Sequence, residues 1–139
     1  MSELALQRIR ENIEKHRRGE DASLLDLGNC GMTEVPEEIG ECVWVEELVL
    51  SSFWWEYDFE KKKWEKKNSQ NESDVNRIQT LPAILSRLLQ LKKIVFNNTQ
   101  ISDLGPLAKL SNLQTLYCSS TQISDLGPLA KLSNLQTLY

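Results

Sequence analysis

TQISDLGPLAKLSNLQTLY runs from Thr99 to Tyr117 and recurs letter for letter from Thr121 to Tyr139, an offset of 22 residues (121 − 99). Inside each copy the leucines fall at nearly fixed intervals. A leucine period in the twenties marks a solenoid that stacks one supersecondary unit per repeat. Such a chain presents a ladder of strands with a long open face instead of an enclosed pocket, so its expected work is binding with that face. The identity of the copies points to recent duplication, because a fold alone would not fix surface letters such as Gln100, Ser102 and Lys109.

Working outward, one unit reads L-x-x-L-x-L-x-x-(N/C/T)-x-(I/L)-x-x-L. It fits as Leu113, Leu116, Cys118, Thr121, Ile123, Leu126, Leu129 and Leu132, and before that as Leu91, Ile94, Phe96, Thr99, Ile101, Leu104, Leu107 and Leu110. Val45, Leu48 and Leu50 open an earlier unit; Leu25, Leu27, Cys30, Met32, Val35, Ile39 and Cys42 belong to the first, and Leu135 and Leu138 open a last strand. Alternation around Leu116 and Cys118 predicts a short strand with one buried face. The three-residue spacing of Ile123, Leu126, Leu129 and Leu132 predicts a 3₁₀-like return, which Gly105-Pro106 and Gly127-Pro128 keep from growing into a long helix. Val35-Pro36-Glu37-Glu38-Ile39-Gly40 and Leu81-Pro82-Ala83-Ile84-Leu85 predict a return one residue longer.

The rest of the chain is read against this template. Residues 1–20 are expected to form an N-terminal capping helix, with Ser2 as its cap, Leu6, Ile9 and Ile13 as its apolar stripe, a basic last turn and Gly19 as its stop. Residues 21–139 then carry about five strands, broken by an insertion at 54–77. There the alternation of Tyr57 and Phe59 with Glu56, Asp58 and Glu60 predicts a β-hairpin leaving the solenoid, followed by a polar loop from about Lys66 to Asn76. The hairpin is expected either to pack against the coils or to offer exposed Trp and Tyr to a partner. Tyr139 falls in mid-strand, so the last strand is expected to expose an edge open to pairing, as at the front of a longer array.

At these motifs a family resemblance becomes specific. LDLGNCGMTEVPEEIG and LPAILSRLLQLKKI resemble leucine-rich repeats of the 23-residue kind, and the TQISDLGPLAKLSNLQTLY units resemble the 22-residue bacterial kind seen in internalins. The resemblance implies an α/β leucine-rich-repeat solenoid of short parallel strands with 3₁₀ or helical returns. The usual asparagine ladder is replaced in this reading by Cys30, Phe53, Thr99 and Thr121, and Phe53 has no side-chain donor to offer. The opening MSELALQRIRENI…SLLDLGNCGMTEVP is also similar to the leading repeats of Roco-type proteins, which implies, as an alternative, a regulatory segment ahead of a GTPase domain.

Composition excludes several functions. Among 139 residues the net charge is −4, which offers no general attraction for phosphate backbones or anionic lipid. The six glycines never form a phosphate loop, and a single histidine, His16, argues against a multi-histidine metal site or a catalytic triad. Neither enzymatic activity nor a cofactor is expected. Cys30, Cys42 and Cys118 lack metal spacing and read as reduced structural thiols, and the charged N-terminus lacks a signal-peptide core; both suit a cytoplasmic protein. Without such a signal, the glycosylation triplets at Asn71 and Asn97 are chance matches.

What remains is a non-catalytic module that binds a protein, and not nucleic acid or membrane, through its concave strand face. Strand residues alternating with the buried ladder point to that side. The candidate contacts are Asp26, Glu47, Val49, Lys93, Val95, Asn97, Thr115, Tyr117, Ser119, Thr137 and Tyr139, with Trp55, Tyr57 and Trp64 of the insertion as further anchors. Tyr117 and Tyr139 are expected to stack one coil apart.

Overall fold

The computed structural model describes residues 3–139; the expected Ser2 cap lies outside them. Five short strands, β1 (Leu24–Asp26), β2 (Glu47–Val49), β5 (Lys93–Val95), β6 (Thr115–Tyr117) and β7 (Thr137–Leu138), form one parallel sheet in that order. Between β2 and β5 the chain makes an antiparallel hairpin of β3 (Phe53–Asp58) and β4 (Lys63–Asn68). The register aligns Leu25, Leu48, Ile94, Leu116 and Leu138 across the sheet, so equivalent letters of successive repeats lie one above another. Returns are 3₁₀ turns at Glu37–Glu41, Ala83–Arg87, Gly105–Leu107 and Gly127–Leu129. The first two are longer, as the Val-Pro and Leu-Pro text predicts. This is the solenoid of parallel strands and 3₁₀ returns expected from the repeats.

No coil buries its own apolar side, and the duplicated repeat shows it directly. Leu104 and Leu116 are 1% and 0% exposed, whereas their identical counterparts Leu126 and Leu138 are 51% and 44% exposed. The letters and local conformations match; only the covering neighbour differs. A further coil would remove only the remaining half of the exposure of Leu126 or Leu138, worth about 1 kcal/mol each, since Leu129 and Leu132 of the last coil are already buried by the coil before it.

At the other end, α1 (Glu3–Arg17) covers the first coil with Ala5, Leu6 and Ile9, while Ile13 is only partly buried. A Schellman stop closes the helix: Gly19 takes φ +75°, and Glu20 N donates to Lys15 O. Asn12 is buried beneath the helix and bridges it to the repeats. Its Nδ2 donates to the carbonyls of Ala22 and Leu24, and its Oδ1 accepts from Trp44 Nε1. His16 stacks on Trp44 with ring centroids 3.8 Å apart. No helix among the described residues is long and apolar enough to cross a membrane.

The asparagine ladder is where the structure departs from expectation. Phe53 does not hold the second coil's ladder position; Asn76 does. Asn76 Nδ2 donates to Leu27 O at 2.8 Å and Leu50 O at 2.9 Å, and its Oδ1 accepts from the backbone N–H groups of Met32 and Cys30. The insertion therefore enters after Ser52, and the chain regains the repeat at Asn76. In the later coils the hydroxyls of Thr99 and Thr121 donate to Phe96 O and Cys118 O, both at 2.7 Å.

Candidate interaction face and its hairpin cover

The strand face expected to lie open is partly covered by the chain's own hairpin. Strand alternation puts Trp54, Glu56 and Asp58 on one side of β3, and Phe53, Trp55 and Tyr57 on the other. The hairpin turns its Trp54 side inward. Trp54, 9% exposed, packs with Val49, Val95 and Tyr117 in an apolar cluster separate from the leucine spine. Glu56 meets the ammonium of Lys93 in an ion pair and accepts from Trp54 Nε1 at 2.8 Å. The Lys93 ammonium lies 5.6 Å from the Trp54 ring centroid and 5.7 Å from that of Tyr117. Asn97 Nδ2 donates to Phe53 O at 3.1 Å.

Burial tunes these groups. Desolvation pulls the Lys93 pKa down, with the Glu47 charge opposing it. Burial pushes the Tyr117 hydroxyl up to about 12, and neighbouring Tyr139 adds to the effect. Those two tyrosines stack as expected, with centroids 4.6 Å apart. Asn97 is 6% exposed, and its Oδ1 is buried without a hydrogen-bond partner, beside a cleft of about 370 Å³ that Ser51, Ser52, Asn76 and Thr99 also line.

The polar return of the hairpin is fixed as firmly as its aromatic side. Asp26 accepts from Ser69 Oγ and Gln70 N, both at 2.7 Å, and from Gly28 N at 3.0 Å. Asn71, 5% exposed, donates to Asp26 O and Gly28 O, and its Oδ1 accepts from Arg8 Nε at 2.6 Å. A side chain at Gly28 would collide with Ser51 O and Ser69, so glycine is what permits this approach. The segment expected as a polar loop from about Lys66 is strand through Asn68 and then a stitched return.

The candidate contacts thus divide into two sets. Val49, Val95, Asn97 and Tyr117 are buried at the hairpin interface, Lys93 is half-buried and paired, and the Asp26 carboxylate is engaged by the return. The hairpin packs against the coils, one of its two expected dispositions, and the expectation that these strand residues face solvent is corrected by Trp54 seating on them. Glu47, Ser119 and Tyr139 are exposed, and Thr115 and Thr137 are half-buried. On the hairpin's outer side Trp55 and Trp64 are 50% and 51% exposed, and Tyr57 is half-buried between Trp64 and Phe59. Trp64 also meets Tyr139 edge-on at 5.7 Å, joining the hairpin to the last strand.

Sequence reasoning missed Trp54, Glu56, Asn71 and Asn76. A signal for the first two was present: Val49, Val95 and Tyr117 put apolar side chains on the strand side where a solvated face would be polar, next to an aromatic-rich insertion.

Residues 111–139 match the family described as Leucine Rich repeats (2 copies). An internalin of Listeria monocytogenes is similar in structure at 24% identity and TM-score 0.54, over 76% of this chain and 24% of its own length. A leucine-rich-repeat protein of Leptospira interrogans is similar at 21% identity and TM-score 0.53, over 82% of this chain and 30% of its own. The chain therefore spans less than a third of either protein. No curated protein matches by sequence. Repeat text, coil geometry and these likenesses agree on the fold, a solenoid of leucine-rich repeats.

Proposed function

We propose that the chain is a non-catalytic protein-recognition module whose contact surface is composite. It joins the outer side of the hairpin, with Trp55, Tyr57 and Trp64, to the uncovered end of the strand face, with Thr115, Ser119, Thr137 and Tyr139, and Glu47 flanks it. The observation that carries this reading is the half-exposure of Trp55 and Trp64 on a hairpin pinned from beneath by Trp54. Large rings held rigidly in water lose little entropy on binding, and such residues dominate interface energetics. A Trp55→Ala/Trp64→Ala variant tests it. Pull-down from the native host should recover a partner with the wild-type chain and lose it with the variant, at unchanged circular dichroism and melting; retention of the partner refutes the reading.

Cys30 and Cys42 sit as thiols in the buried core, which suits a reducing, cytoplasmic setting. A regulatory role ahead of a GTPase domain has only the opening-coil text in its support, and the reading frame beyond codon 139 would test it.

A further inference from the structure

We propose that the seat beneath the hairpin is itself a peptide-recognition site, selective for an extended segment with an aromatic residue followed two positions later by an acid. Trp54-Trp55-Glu56 occupies it as an intramolecular competitor. The proposal deepens the protein-recognition reading and rests on it.

Three observations carry it. First, Val49, Val95 and Tyr117 belong to a cluster distinct from the leucine spine, so the solenoid does not need them for its own core. They serve the layer that lies on the sheet, with Tyr117 also stacked on Tyr139 of the next strand. Second, the face reads its occupant at points set by strand geometry. Asn97 Nδ2 takes the Phe53 carbonyl, the apolar trio takes the Trp54 ring and Lys93 takes the Glu56 carboxylate. Alternation places positions 54 and 56 on one side of any extended segment, whichever chain supplies it. The Lys93 ammonium also lies near the ring, which favours an aromatic over an aliphatic residue there. Third, the occupant is a two-stranded hairpin, a unit marginal by itself in water, so it can lift locally without unfolding the coils.

The tether gives the hairpin an effective concentration on the order of millimolar, so a partner must outcompete it and weak ligands are rejected. Recognition and autoinhibition are then the same contact.

The test uses the full chain and a labelled, end-blocked peptide, Ser-Phe-Trp-Trp-Glu-Tyr-Asp, equal to residues 52–58. Fluorescence anisotropy should show saturable binding to a Trp54→Ala/Glu56→Ala variant at least about tenfold tighter than to wild type, since emptying the seat removes the competitor. Adding Lys93→Ala to that variant, or placing Trp54→Ala and Glu56→Ala in the peptide, should remove the binding. A cooperatively melting variant that binds no better than wild type overturns the proposal, as does binding indifferent to Lys93→Ala. If the double variant fails to fold, Glu56→Lys alone, which sets two ammonium groups against each other and keeps the ring, is judged by the same criteria. Peptide binding to the vacated seat with partner capture intact in Trp55→Ala/Trp64→Ala would sink only the outer-surface reading. Lost capture without peptide binding would sink only the seat.

Discussion

Replacing Trp54 by alanine should detach the hairpin and leave the solenoid standing. Trp54 is 9% exposed, and its ring is the only hairpin side chain in the cluster with Val49, Val95 and Tyr117. Truncating a buried aromatic costs about 3–5 kcal/mol, and the low end applies here because the seat lies at the surface and can partly collapse. The spine is a separate cluster, so the cost should fall on hairpin opening. About 3 kcal/mol at 1.4 kcal/mol per tenfold gives roughly a 100-fold rise in opening. Native-state hydrogen exchange reads this directly: amides of the β3–β4 ladder should exchange about two decades faster, while those of β2 and β5 keep their protection. Trp55→Ala, at a half-exposed position on the other side of the same strand, should change stability by no more than about 0.5 kcal/mol. The reasoning fails if hairpin exchange is unchanged by Trp54→Ala, or if every strand loses protection equally.

Leu116→Ala, at a fully buried ladder position, should cost about 2–5 kcal/mol in urea unfolding, whereas Leu138→Ala in the uncovered coil should cost well under half as much. Asn76→Ala strips hydrogen bonds from the backbone groups of Leu27, Leu50, Cys30 and Met32, and at about 1–3 kcal/mol per orphaned buried group it should lower the melt more than Thr99→Ala, which releases one carbonyl. Lys93→Glu should loosen the hairpin in hydrogen exchange by setting like charges together, and adding Glu56→Lys should restore it; a double variant no tighter than the single one would deny the pair a role. The thiols of Cys30 and Cys42 rise from an ordinary 9.0 to about 11, so between those values the folded chain holds protons that the unfolded chain has released. Stability present below pH 9 should therefore fall as pH rises toward 11, and alanine at both sites should flatten that slope in urea titrations read at each pH.

The spine was legible because each of its determinants is local and repeated. Leucine spacing sets the strand, the Gly-Pro or Val-Pro text sets the return, and stacking follows from the period. The hairpin's strands were legible from alternation and its packing against the coils from its aromatic content, but which strand residues it would cover was not. That depends on Trp54 meeting Tyr117, dozens of residues away and with no repeat to announce it. Asn76 escaped for a related reason: the template counts positions along the chain, and the insertion moves the asparagine out of register while leaving it in place in space. Asn12, a polar residue inside a helix's buried side, breaks the apolar stripe that sequence patterns look for, and its three partners lie in the first coil and on Trp44.

Because the detour leaves after Ser52 and rejoins at Asn76, cutting it out would fuse Leu50-Ser51-Ser52 to Asn76-Arg77-Ile78. That junction scans like Leu27-Gly28-Asn29-Cys30-Gly31-Met32 and like Phe96-Asn97-Asn98-Thr99-Gln100-Ile101, so the wound would heal into an ordinary coil. The segment behaves as a cassette plugged into a socket between strand and turn. Other loops of different reach or chemistry could be exchanged there, each delivered onto the same three-coil platform, with the spine none the wiser.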